Sequence, residues 1–172
     1  TEAFANSDID KAIAKLSESL NVGDYDRQTR ADTYFWRGEA YYRKGNYLQA
    51  TKDYTQYFNL TNECSGRIYA LALYGQGYAH FVQQKYQDAF KQFNLLLQKY
   101  PSSSQAIDNT TLADAQMRIG DCYFYSRKYN SAEDAYDKAV SLDASIADYA
   151  IYQKGFTQGL TGRYSDKIGT LT

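Results

Sequence analysis

An all-α repeat chain, helix packed against helix, is predicted by a recurring glycine, by a recurring spacing and by a dearth of strand signals. Glycine falls four times in the middle of aromatic-rich helical stretches: FWRGEAYY, YGQGYAHF, RIGDCYFY and YQKGFTQG. A glycine inside a helix costs about 0.5–1 kcal/mol relative to alanine. Gly38, Gly77, Gly120 and Gly155 therefore imply a second helix crossing too close for a side chain. Gly38 leads to Tyr41, Tyr47, Ala50 and Tyr54, Gly77 to His80, Tyr86, Ala89 and Phe93, and Gly120 to Tyr123, Tyr129, Ala132 and Tyr136, at identical offsets. From Gly155 the same offsets reach Gln158, Tyr164, Lys167 and Leu171, so the fourth copy keeps its tyrosine and drifts elsewhere. A single proline and few alternating apolar–polar runs argue against strands.

This grammar resembles the tetratricopeptide repeat (TPR), whose pattern W-x2-L-G-x2-Y, then A-x3-F, then P describes two helices joined by a tight turn. The second copy supplies Pro101 at its end. The resemblance implies a right-handed α-solenoid, a TPR-like superhelix of about eight to nine helices. It is expected to be one repeat domain over 1–172, with repeats at 31–64, 70–103 and 113–146 and partial repeats at 1–30 and 148–172. Successive glycines stand 39, 43 and 35 residues apart against a family period of about 34. The extra residues fall near Glu63–Tyr69 and Ser102–Leu112, at junctions where insertions disturb packing least.

The elements follow in order. Residues 8–20 carry Ile9, Ala12, Ile13, Leu16 and Leu20 on one helical face, as expected of the second helix of a repeat whose first is missing. Helices are expected near 31–44 and 47–61, 68–84 and 86–99, 109–126 and 129–142, and 146–160, with a last one starting near Ser165. The chain is expected to be a fragment of a longer array. The joint QKYPSSSQAIDNTTLADAQMRIGDCYF resembles the helix-YP-serine-helix joints of bacterial envelope repeat proteins, such as outer-membrane assembly lipoproteins and TolA-binding periplasmic proteins. The compartment, periplasmic or cell envelope or cytoplasmic, stays open.

Composition limits the function classes. A hydrophobic content of 44% and a charged content of 23% are ordinary for a globular protein, and no apolar run approaches the roughly 20 residues of a membrane span. A net charge of −1 without a basic stripe argues against nucleic acid. Cys122 takes the slot of Ala40 and Ala79 and reads as a small packed residue, while Cys64 lies near a junction. Asn59 and Asn109 begin N-x-T triplets, which matter only in a glycosylating compartment. The one histidine, His80, replaces an aromatic and has no second ligand at metal spacing, so it reads as packing. No Walker loop, nucleophile elbow or zincin motif is present, and GQG lies mid-helix without a preceding strand. No catalytic residue, metal or cofactor is assigned.

Function then belongs to a surface. Around the first helix, with Tyr34 at zero and about 100° per residue, Arg37, Gly38 and Tyr41 form the stripe facing the partner helix. Phe35, Glu39 and Tyr42 lie about 80–140° round; the resemblance implies that this stripe lines a concave, peptide-binding groove. Carried onto each repeat, it gives Asp32, Phe35, Glu39 and Tyr42; Leu71, Tyr74, Tyr78 and Phe81; Asp114, Met117, Asp121 and Phe124; and Tyr149, Tyr152, Phe156 and Gly159. Trp36, between the stripes, is expected in the core. The lysines, arginines and asparagines with which chaperone-tail members grip a C-terminal carboxylate are missing from these positions. The expected function is a non-catalytic protein-interaction scaffold whose aromatic, mildly acidic groove takes an extended or helical peptide with apolar and basic residues. Two alternatives stand beside it: a spacer or self-associating segment of a longer envelope array, and saccharide binding on tyrosine platforms.

Overall fold

A computed structural model describes the backbone of residues 2–23 and 25–172 and the side chains of 7–23 and 25–172. Among the described residues there are α-helices and one 3-10 turn and no strand. In chain order they are α1 (Glu2–Val22), α2 (Arg27–Arg43), α3 (Tyr47–Leu60), α4 (Arg67–Val82), α5 (Tyr86–Lys99), α6 (Asn109–Tyr125), α7 (Tyr129–Leu142), the 3-10 turn Ala144–Ile146, α8 (Ala147–Leu160) and α9 (Tyr164–Leu171). No described helix is long and apolar enough to cross a membrane. The helices divide into two compact units, residues 1–84 and 85–172, so the division falls inside the second repeat.

In the first unit, α2 and α3 form a hairpin whose turn ends in Asn46, which caps α3 by accepting the Gln49 N–H at 3.3 Å. Phe35 of α2 packs its ring 5.7 Å from Tyr57 and 6.3 Å from Tyr54, and Ala72 and Ala79 of α4 close the cluster. Arg37 joins three helices: its guanidinium donates to both Asp53 oxygens on α3, at 2.7 and 2.8 Å, and to Ser17 Oγ on α1 at 3.1 Å. It also lies over the rings of Tyr34 and Tyr41. The Asp53 hydrogen bonds hold its pKa above the ordinary arginine value against the opposing effect of burial.

In the second unit, Asp108 caps α6 by accepting the Thr111 N–H at 2.7 Å. Tyr136 and Ala139 of α7 pack with Met117 of α6 and Ala150 of α8. Glu133 of α7 accepts hydrogen bonds from Gln158 of α8, at 3.3 Å, and from Arg163. The short α9 folds back on α8, and Leu171 takes the place that Tyr54 and Tyr136 hold in their own repeats.

The predicted close approach is present at Gly38, Gly120 and Gly155. A Cβ built on Gly38 would stand 3.2 Å from the Tyr54 ring, and one on Gly120 only 2.5 Å from the Tyr136 ring. Glycine is needed there because the ring of the following helix occupies a side chain's volume.

Candidate protein-interaction surface

The first helix of each repeat has two further faces beyond the one its partner helix covers. On α2 and α6 one of them meets the next repeat, α4 and α8 respectively, and the other meets solvent. This separates the predicted groove residues.

In the first unit Phe35 is only 1% exposed, enclosed by Tyr54 and Tyr57 and by the alanines of α4. It is a core residue. Glu39 is half-buried and accepts the Tyr54 hydroxyl at 2.5 Å, and Asp32 accepts from Gln28 Nε2 at 2.9 Å. Tyr42 is half-buried, edge-on to Tyr47 at 5.4 Å. Tyr74, Tyr78 and Phe81 on α4 are half-buried; the first two rings meet edge-to-face at 4.9 Å. Trp36 departs from expectation: it is 53% exposed, resting one edge on Phe35. It lies about 200° round from Tyr34, opposite the stripe that meets α3, so the helix turns it outward.

In the second unit Met117 is buried, and Asp121, at 4% exposure, lies inside a charge cluster. Arg118 Nη1 donates to Asp121 at 2.6 Å and Nη2 lies 3.6 Å from Asp114. The Tyr136 hydroxyl donates to Asp121 at 2.9 Å, and the Tyr149 hydroxyl reaches it at 3.5 Å, with the Tyr149 ring under the Arg118 guanidinium. Burial pushes the Asp121 carboxyl above the ordinary carboxylate range, while Arg118 and the Tyr136 hydroxyl oppose it. Of the acids that the sequence places in the groove, Asp114 and Asp121 share the Arg118 cation, while Asp32 and Glu39 accept hydrogen bonds from neutral groups of the protein.

Phe124, Tyr152 and Phe156 come together. The Phe124 and Phe156 rings are 5.8 Å apart, and Tyr152 and Phe156 lie nearly parallel at 6.5 Å. Tyr152 is 59% and Phe156 43% exposed, so α8 offers a row of aromatic faces to solvent. Gly159 lies one turn on, against the Lys167 alkyl chain. Tyr125, one residue past the predicted stripe, is also exposed and stacks on Tyr86 at 4.5 Å. Sequence reading missed Trp36 and Tyr125; the signal for both was their helical angle, outside every packed stripe.

His80 is half-buried. Burial pushes the Cys122 thiol up to about 12, which leaves it inert at neutral pH. No described group of three histidine, cysteine or acidic side chains is placed to hold a metal.

Family models of the tetratricopeptide repeat match residues 31–64, 71–103 and 113–146. The chain belongs to the tetratricopeptide repeat family. No curated protein matches it in sequence. Among solved structures it is similar to MamA, at 20% identity and a TM-score of 0.78 over 98% of this chain and 88% of that one. It is also similar to MamA from residue 41 to its end from Desulfovibrio magneticus RS-1, at 16% identity and a TM-score of 0.77 over 99% and 85%. YrrB, described as a TPR protein with an unusual peptide-binding site, matches at 16% identity and a TM-score of 0.75 over 96% of this chain and 75% of YrrB. These likenesses show an all-α TPR solenoid fold.

Proposed function

We propose that this chain is a non-catalytic protein-interaction scaffold that holds a peptide segment of a protein partner against the aromatic faces of its first-in-repeat helices. The observation that carries the reading is the tetratricopeptide repeat itself, matched over residues 31–64, 71–103 and 113–146, and the row Phe124, Phe156 and Tyr152 is the aromatic surface to which we assign the partner. Aromatic side chains so placed bury much area at small entropic cost and dominate interface energetics. With Asp121 enclosed and Glu39 bonded to Tyr54, apolar anchors of the partner contribute more than its basic residues. The peptide-binding site named for YrrB supports the same kind of use.

The test is the double variant Tyr152→Ala/Phe156→Ala. Recovery of bound proteins from the native lysate is expected to fall at least tenfold, with a melting temperature within about 2 °C of the parent, since surface truncations cost little stability. Unchanged recovery would remove these rings from the binding surface.

A second reading, a spacer or self-associating repeat segment, is favoured by the apolar side chains exposed on α8 and α9. Leu160, Tyr164 and Ile168 are more than half exposed there. Under that reading light scattering shows mass rising with concentration, and Leu160→Ser/Ile168→Ser abolishes the rise.

A further inference from the structure

Within residues 85–172, on surface that the Phe124–Phe156–Tyr152 row does not use, three clefts of about 370, 230 and 690 Å³ adjoin. The first two share Gln116 and Lys138, and the second and third share Phe90 and Tyr123, so they lie in a row along one surface channel. Its walls are α5 and α7 and its floor is α6.

The sequence dictates this shape. On α5 the channel takes Tyr86, Phe90, Asn94 and Leu97, a four-, four- and three-residue spacing that keeps one helical stripe. On α6 the floor takes Leu112, Gln116, Ile119 and Tyr123 at the same kind of spacing. On α7 the wall takes Ser131, Ala135, Lys138 and Leu142. Three parallel ridges of this period are the surface into which the ridges of another helix fit. From Tyr86 to Leu97 the channel runs about 16 Å, or about three helical turns.

Its chemistry varies along that length. One end is apolar, between Leu97 and Leu142; the other is aromatic, where Phe90 and Tyr123 lie 5.2 Å apart. The middle is polar, lined by Asn94 and Gln116. Lys91, Lys128 and Lys138 line it against one carboxylate, Asp134. Lys91 pairs with Asp88 at 3.0 Å, whereas Lys128 and Lys138 enter no ion pair among the described residues. A lining with three lysines and one acid, on a chain of net charge −1, is a local reversal of sign.

We propose that this channel receives an acidic amphipathic helix of about three turns from a partner protein. Its apolar anchors stand about eleven residues apart, one against Leu97 and Leu142 and one against Tyr86 and Tyr123. A polar residue between them meets Asn94 and Gln116, and glutamates or aspartates reach Lys128 and Lys138.

The probe is a labelled 15-residue synthetic peptide with leucines at its third and fourteenth positions, glutamines between them and glutamates on the other face. The control replaces its glutamates with lysines. Anisotropy with the whole chain is expected to show the acidic peptide binding at least tenfold more tightly than the control. Lys128→Glu/Lys138→Glu, both exposed, is expected to weaken it at least tenfold at unchanged melting temperature, because rim charges set such recognition. Tyr152→Ala/Phe156→Ala is expected to leave the binding unaltered, which separates this surface from the aromatic row. Equal binding of the two peptides, no binding, or binding indifferent to the lysine reversals would overturn the proposal. So would light scattering that shows a dimer abolished by those reversals, because the occupant would then be a second copy of this chain.

Discussion

Tyr54 and Tyr136 do the same work in two repeats. Each fills the space above a glycine of its partner helix and donates its hydroxyl to the acid one residue further on, Glu39 or Asp121. Where the tyrosine becomes Phe93 or Leu171, the acid becomes Tyr78 or Phe156. A buried hydroxyl needs an acceptor, and a ring without one leaves the neighbouring position free to be aromatic. Gly120→Ala, which sets a Cβ 2.5 Å from the Tyr136 ring, is expected to cost about 2–3 kcal/mol and lower Tm by about 4–10 °C, more than Gly38→Ala, where the ring stands 3.2 Å away. A calorimetric melt of the two variants checks the order. Asp121 gives a pH dependence. Its folded pKa is raised above the ordinary 3.8, so as pH climbs through that value the unfolded chain loses its proton first and the folded state loses stability until Asp121 itself ionises. The stability of the parent minus that of Asp121→Asn is therefore expected to fall, in urea titrations, as pH rises from the ordinary 3.8 through the raised folded value. A rise would mean that the Arg118 ion pair outweighs burial.

At the scale of the element, the turn between the helices of a pair carries a rule. Gly45, Gln84, Arg127 and Gly162, each seven residues past a repeat glycine, all have positive φ, at 79°, 59°, 59° and 75°. Arg127 bears a side chain where glycine is at ease, so Arg127→Gly is expected to stabilise by about 0.5–1 kcal/mol, read as a Tm higher by about 1–3 °C. An unchanged or lower Tm contradicts it. The helices themselves were legible, because the 3.6-residue period, the caps and the turn glycines all point the same way. The helix bounds expected for α3, α5 and α7 differ from those found by at most one residue. Burial was less legible. Phe35, Met117 and Tyr152 hold one register position, yet the first two are enclosed and the third is 59% exposed. What covers that position is another repeat, and a helical wheel drawn on one helix carries no information about its neighbours. Trp36 was misplaced for the complementary reason: its apolarity suggested the core, while its angle on α2 turns it to solvent.

For the molecule as a whole, each paired helix spends one face on its own hairpin, α2 and α6 spend another on the next repeat of the same unit, and the solvent face is the one we assign to a partner. The aromatic content is apportioned accordingly: Phe35, Tyr54, Tyr57 and Tyr136 go to the core, while Trp36, Tyr152 and Phe156 stay at the surface. The central claim is that the exposed aromatic row of α8 touches a partner protein. It is tested most directly by placing the photo-crosslinking residue benzoylphenylalanine at position 152 and, as a control, at the exposed position 52 of α3. The account predicts discrete crosslinked partner peptides from position 152 that vanish when Phe156→Ala is added, and none from position 52. Equal yields from both positions, or crosslinks at 152 only to a second copy of this chain, would contradict it.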